Sequence, residues 1–260
     1  LEQQREYLIK RNSILRDLFA ANESINKIDS AGLTPLHYAA ATNSNQMVDL
    51  LVSFGAKAYK SNNELAIKPD AVAVILDSDL IIPKLMNICG REEMNDQREF
   101  NLLAFYSYFG KDVNMLDQIY NFNFGTSNLN TTDKFGNTAA FYAALANNGD
   151  FLQYFIKTKL ANPNIANEDG ETMLIYTAQY GCDIAAKMLL SLNADPNLED
   201  FSHRTAISYA LISKDYNLAK LLLDYKANID IYDRLNISPL FYAIKINNPH
   251  VLEIFSNQNS

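Results

Sequence analysis

A seven-residue phrase recurs along this chain at a nearly constant spacing, and that period constrains the fold more than any other feature. It reads TPLHYAA from Thr34, TAAFYAA from Thr138, TMLIYTA from Thr172, TAISYAL from Thr205 and SPLFYAI from Ser238. The last four starts are separated by 34, 33 and 33 residues. A step of this size marks an array whose units cannot bury their apolar faces alone and stack on copies of themselves. The 104 residues between Thr34 and Thr138 leave room for two more units, and weaker matches in phase lie at Lys68-Pro69 and Asn101-Leu102-Leu103. Seven units then fit, with steps of 34, 33, 37, 34, 33 and 33 residues.

Each full phrase follows a turn. Asp29 to Gly32, Asp133 to Gly136 and Asn167 to Gly170 begin with Asp or Asn and end with Gly, while Asp200 to His203 and Asp233 to Asn236 lack the glycine. Asp and Asn bond their own backbone, and Gly or Asn accepts positive φ, so tight turns are predicted. The Thr or Ser after the turn suits a helix N-cap, with Pro35 and Pro239 at the first helical position, where a missing N–H costs nothing. A second helix follows, with apolar residues at i, i+1, i+4 and i+5, as in Met47-Val48-Leu51-Val52, Phe151-Leu152-Phe155-Ile156 and Leu218-Ala219-Leu222-Leu223. That spacing makes one apolar face. Recurring exits close the units at Gly55-Ala56, Leu160 to Asn164, Asn193 to Asn197 and Lys226 to Asp230.

Turn, TPLHxAA helix, apolar helix and exit at this period resemble the ankyrin repeat, over nearly the whole chain from Asp29 to about Phe255. The resemblance implies an all-α fold, an ankyrin-repeat solenoid of about seven helix-turn-helix units over residues 29–260. Residues 1–28 match no full unit, but Ile14, Leu15, Leu18 and Phe19 have the second-helix spacing, which predicts an N-terminal helical cap. Units two and three, about residues 62–124, lose the Gly turn and the Thr cap and rest on phase and apolar spacing.

Stacked units must repeat their contacts. The small pairs Ala39-Ala40, Ala143-Ala144 and Thr177-Ala178 permit close helix approach. Tyr38, Tyr142, Tyr176, Tyr209 and Tyr242 form a ladder whose rings pack while their hydroxyls reach a partner or water; an aromatic ligand box is the other reading. The His of the phrase survives only as His37, replaced by Phe141, Ile175, Ser208 and Phe241. In ankyrin units that His is a structural hydrogen-bonding residue.

With 260 residues and 48% hydrophobic content, the chain has material for a large core and is not disordered. A net charge of −8 and a pI near 4.9 repel phosphate backbones and anionic membranes, which argues against nucleic acid as partner. Cys89 and Cys182 stand far apart, the usage of a reducing compartment and of buried thiols. No apolar run reaches the ~20 residues of a membrane span, and no signal segment opens the chain. A cytoplasmic protein is expected. The chain starts at Leu1 rather than Met and is rich in Asn and Ile. Those features suggest a piece of a longer protein and an AT-rich genome, such as that of an intracellular bacterium whose effector would act in the host cytosol.

No catalytic constellation emerges. His37, His203 and His250 fall in different units, without metal-ligand or triad spacing. No glycine is followed by another two residues later, which excludes a GxGxxG fingerprint. Cys182 and His203 are in unit-to-unit register but are not expected to pair as nucleophile and base. Glu92-Glu93 and Glu168-Asp169-Glu171 read as solvated charge rather than an acid/base couple. The chain is predicted to be no enzyme, with no cofactor and no metal.

The resemblance places a partner protein on a concave surface made of turn tips and first-helix ends. Carried over unit by unit, the tips are Ser30, Ala31 and Leu33; Lys134, Phe135 and Asn137; Glu168, Asp169 and Glu171; Phe201, Ser202 and Arg204; and Arg234, Leu235 and Ile237. The first-helix ends add Leu145, Gln179, Tyr180, Ile212 and Lys245. Phe135, Phe201, Leu235 and Ile237 are apolar where a solvated turn is polar; they either face a partner or tuck against the neighbouring turn. The expected partner is a protein segment with basic residues flanking an apolar one, bound by a monomeric interaction module. The alternative is the targeting part of a longer enzyme.

Overall fold

The computed structural model describes residues 25–58, 68–89, 102–123 and 129–245. Most of the proposed cap, with Ile14, Leu15, Leu18 and Phe19, lies outside these residues, as do Glu92-Glu93 and His250. The chain divides into two compact units, one of residues 1–93 with 117–123 and the other of residues 94–116 with 124–260.

In the first unit, α1 (Pro35–Ala41) and α2 (Asn45–Ser53) form one helix pair. A second pair is α3 (Pro69–Ile75) and α4 (Ile82–Cys89), with a 3₁₀ turn at Asp79–Ile81 between them. Helix α1 packs against α3. Lys68 stands at the N-cap of α3 with Pro69 behind it, so the weak match at this phase is a helix start. The second unit opens with α5 (Leu102–Phe109), and α6 (Val113–Asn123) crosses the division. The pairs α7 (Ala139–Leu145) with α8 (Gly149–Gln153), α9 (Met173–Tyr180) with α10 (Asp183–Ser191), and α11 (Ala206–Ile212) with α12 (Tyr216–Asp224) follow, then α13 (Pro239–Lys245). First helices stack in series, α5 on α7 on α9 on α11 on α13.

Three of the predicted hydroxyl N-caps form, whereas Thr205 stands at its N-cap without a side-chain cap bond. The hydroxyl oxygens of Thr138, Thr172 and Ser238 accept from the amides of Phe141, Ile175 and Phe241 at 3.2, 3.3 and 3.4 Å. His37 is buried and structural: its Nδ1 accepts from the Thr34 amide at 3.0 Å and lies 2.8 Å from the Thr34 hydroxyl. Second-helix faces are buried at Phe151, Leu152, Phe155, Ile156, Leu218, Ala219, Leu222 and Leu223. Each large side chain contributes about 2 kcal/mol. The α2 face is narrower than its spacing predicts, because Val48 and Leu51 are buried but Val52 is 37% exposed.

The one 34-residue step among the last repeats has a local cause. Helix α8 continues as a π turn over Tyr154–Thr158, which absorbs one extra residue. Its exit amide at Ala161 bonds the carbonyl of Phe155, whereas Ala194 and Ala227 bond Leu189 and Leu222, one residue fewer back. Asparagines then tie successive exits. Asn130, Asn164 and Asn197 accept through Oδ1 from the amides of Asn162, Asp195 and Asn228 at 3.1, 2.9 and 2.6 Å. Asn26 accepts from the Lys57 amide in the same way and also donates its Nδ2 to the Gly55 carbonyl.

Candidate protein-binding surface

The turn aspartates do more than cap their own turns. Asp133 accepts through Oδ1 from the amides of Phe135 and Asn137, and through Oδ2 from the Tyr142 hydroxyl at 2.5 Å. Asp200 takes Ser202, Arg204 and Tyr209, and Asp233 takes Leu235, Ile237 and Tyr242. Asp29 does the same with Ala31, Leu33 and Tyr38. Each phenol thus locks a turn to the first helix after it through a short, charge-assisted bond. Here the structure refines the sequence reading, which left the hydroxyls to a partner or water.

The fourth residue of each turn takes a left-handed conformation, at φ 77°, 77° and 78° for Gly32, Gly136 and Gly170. His203 and Asn236 take it at 58° and 59° without glycine. His203 Nδ1 lies 2.8 Å from the Glu199 carboxylate, and the Cys182 thiol points at the Leu145 carbonyl at 4.0 Å, so these two side chains do not meet as a pair. Among the described residues no group of three His, Cys, Asp or Glu side chains could hold a metal ion.

The candidate tips and helix ends from Lys134 onward lie in the second compact unit, and Ser30, Ala31 and Leu33 in the first. Neighbouring tips are joined by main chain, with the Glu168 amide donating to the Phe135 carbonyl at 2.9 Å and the Arg234 amide to the Ser202 carbonyl at 3.0 Å. Phe135 is 48%, Phe201 61% and Leu235 70% exposed, while Ile237 is half-buried. The Lys134 ammonium sits 4.9 Å from the Phe135 ring centroid. Phe201 both faces solvent and packs on its neighbour: a Cβ added at Gly170 would fall 2.8 Å from its ring. Phe201 therefore tucks against the neighbouring turn and still keeps much of its ring exposed.

Lys134, Glu168, Asp169 and Arg234 are exposed. Arg204 is committed internally, since its Nε donates to Asp233 Oδ2 at 3.2 Å and its guanidinium lies over the Tyr209 ring. Asn137 donates to the Tyr142 hydroxyl at 3.5 Å. Burial pushes the Glu171 carboxyl above its ordinary value; a bond from Asn167 opposes this, and Asp169 and Asp200 add to it. Tyr180 and Ile212 are exposed at the ends of α9 and α11.

Two features escaped the sequence reading. Tyr108 and Phe109, 43% and 41% exposed at the end of α5, occupy the same register from Asn101 as Gln179 and Tyr180 do from Thr172. Phase counting in the degenerate unit was the signal that could have found them. The other is Tyr176: its turn has Asn167, whose Oδ1 still takes the Asp169 and Glu171 amides but whose Nδ2 points to Glu171. Tyr176 instead packs on Tyr180 with ring centroids 4.3 Å apart and edge-on to Phe141 at 5.5 Å.

Comparison with known proteins agrees with this architecture. A model of three consecutive ankyrin repeats matches residues 103–200, and a single-repeat model matches residues 31–63, together about half of the chain. The chain belongs to the ankyrin repeat family. An ankyrin repeat-containing protein of Treponema pallidum is 34% identical over 85 residues, 33% of this chain and 28% of that protein. An ankyrin repeat protein of Acanthamoeba polyphaga mimivirus is 27% identical over 187 residues, 70% of this chain and 24% of that protein. A serine/threonine-protein kinase of Arabidopsis thaliana is 35% identical over 86 residues, 33% of this chain and 19% of the kinase. The chain thus spans only about a quarter of the length of the first two of these relatives. Ankyrin repeats are protein-interaction modules, and among the described residues no helix is long and apolar enough to cross a membrane.

Proposed function

We propose that this ankyrin array is a non-enzymatic, monomeric interaction module that holds one partner protein on its turn tips and first-helix ends. The observation that carries this reading is the row of exposed apolar side chains Phe135, Phe201 and Leu235, set beside Glu168 and Asp169 on tips hydrogen-bonded to one another. Exposed aromatic residues are the type that dominates interface energies. The flanking carboxylates suit a segment with basic residues around an apolar one. The module acts in the cytosol, and its composition favours an effector working in a host cell. A second reading, a targeting segment of a larger enzyme, draws support from the Arabidopsis match, whose name is that of a kinase.

The same reading gives residues 1–28 the role of a cap. The N-terminal face of the first repeat carries an open groove of about 430 Å³ lined by Leu33, Pro35, Ala39, Met47 and Leu51, the face on which a preceding unit would stack. The reading is tested by capture from cytosolic extract with the parent chain and with tip variants. Glu168→Lys with Asp169→Lys should slow association and flatten its salt dependence. Phe201→Ala should weaken binding by ~2 kcal/mol. A partner that binds both variants as tightly as the parent would move the interface elsewhere.

A further inference from the structure

We infer that the strip running from Glu171, in the turn before α9, over Tyr176 to Tyr180 is a seat for an arginine side chain of the partner. This rests on the reading of the concave surface as the partner site and names one residue that the site would take.

The strip is where the repeat breaks its own rule. In the turns that begin with Asp29, Asp133, Asp200 and Asp233, the tyrosine nine residues later gives its hydroxyl to the aspartate. At Asn167 that lock is missing, and among the described residues the Tyr176 hydroxyl makes no hydrogen bond. Local rules broken inside an otherwise consistent array mark functional positions. Freed from its turn, Tyr176 leans on Tyr180, whose ring is 59% exposed. Tyr108 and Glu171 both lie close enough to act electrostatically on the Tyr176 phenol, which burial chiefly pushes up to about 12.

Two properties of the strip select the ligand. The Tyr180 face attracts a cation through its quadrupole. Glu171, whose charge acts on the Tyr176 phenol, supplies the opposite charge beside that ring. Gln179 donates its Nε2 to the Tyr180 hydroxyl at 3.4 Å and so reports on that ring. A planar guanidinium on a long apolar stem suits both, because the stem covers ring surface while the head stacks and donates. A compact ammonium does not stack.

The probe is N-acetylargininamide, titrated into the whole chain and followed by the ring signals of its tyrosines and the side-chain amide of Gln179. Saturable shifts are expected at Tyr176, Tyr180 and Gln179. The isosteric, uncharged N-acetylcitrullinamide should bind about two- to fivefold more weakly, the range of an exposed cation–π contact. Tyr180→Leu, at an exposed site that does not threaten folding, should abolish the shifts. Glu171→Gln should weaken binding, and Leu160→Ala, at an exposed exit outside the binding surface, should leave it unchanged. Equal binding of the citrulline analogue, or unchanged binding to Tyr180→Leu, overturns the inference. Shifts scattered over distant carboxylates would also overturn it. If a captured partner still maps to the turn tips while the probe ignores Tyr180, only the arginine seat fails. If the probe binds at Tyr180 while the partner ignores the tips, only the wider reading fails.

Discussion

The repeats from Asp133 to Lys245 and the stretches at 68–89 and 102–123 build the same helix pairs with different hardware. In the first region Asp133, Asp200 and Asp233 each take two amides and a phenol, a left-handed residue reverses the chain, and Thr138, Thr172 and Ser238 cap their helices. In the second, Lys68 stands at the N-cap of α3 in place of a hydroxyl and makes no side-chain cap bond. What the two share is burial: Ala73, Val74, Leu85, Leu103, Tyr106, Leu116 and Ile119 are as fully enclosed as Phe151 and Leu189. Apolar burial makes the helices, and the polar hardware adds stability and regularity. The difference predicts that the regular units gain much of their stability from these particular polar atoms.

The sharpest way to break that comparison is to remove a turn carboxylate. Asp200→Ala would leave the Tyr209 hydroxyl and the Ser202 and Arg204 amides without their acceptor, and should cost about 3 kcal/mol in denaturant unfolding. A smaller loss follows from Gly136→Ala. Its φ of 77° is left-handed, and a Cβ there would sit 2.6 Å from the Glu168 amide nitrogen, so about 2 kcal/mol should be lost. Chemical denaturation of both variants beside the parent measures these differences directly.

Tyrosine-to-phenylalanine changes sharpen the contrast within the regular region. Tyr142→Phe and Tyr242→Phe each delete a bond to an ionised carboxylate and should cost about 1.5 kcal/mol. Tyr176→Phe deletes no hydrogen bond and should fall within about 0.5 kcal/mol of the parent. A Tyr176→Phe loss equal to the others would show that its hydroxyl has a structural duty.

The smallest effect concerns acid. Burial acts to raise the Asp233 carboxyl, but the Tyr242 hydroxyl, the Ile237 amide, Arg204 and the Leu235 amide outweigh it and hold the group below its ordinary 3.8. A carboxyl held low in the fold stabilises above 3.8 and loses that contribution as pH falls through the folded value. Unfolding midpoints should therefore drop below about pH 4, and Asp233→Asn should show a shallower drop.

Much of this was legible in the sequence because period, cap and turn chemistry are local. Thr138, Thr172 and Ser238 announce their helices, and Phe155 and Leu222 announce the buried faces. The Asp-to-Tyr locks were not legible, since a side chain bonding nine residues away leaves no local pattern beyond two residue types at a fixed distance. Nor was the π turn at Tyr154–Thr158, which appears only as one residue too many in a step. Of the candidate surface, the exposure of Phe135 and Leu235 followed from their place on the tips. The commitment of Arg204 to Asp233 did not, because it joins neighbouring repeats 29 residues apart.

Peptide-resolved amide exchange on the free chain tests the contrast most directly. Helices α9 to α12, which flank the locked Asp200 turn, should exchange slowest, and residues 68–89 and 102–123 fastest, since stability in a repeat array is close to a sum over units and their neighbours. Uniform protection across all helices, or slower exchange at 102–123 than at 173–191, would contradict the claim that the turn hardware distinguishes the two regions.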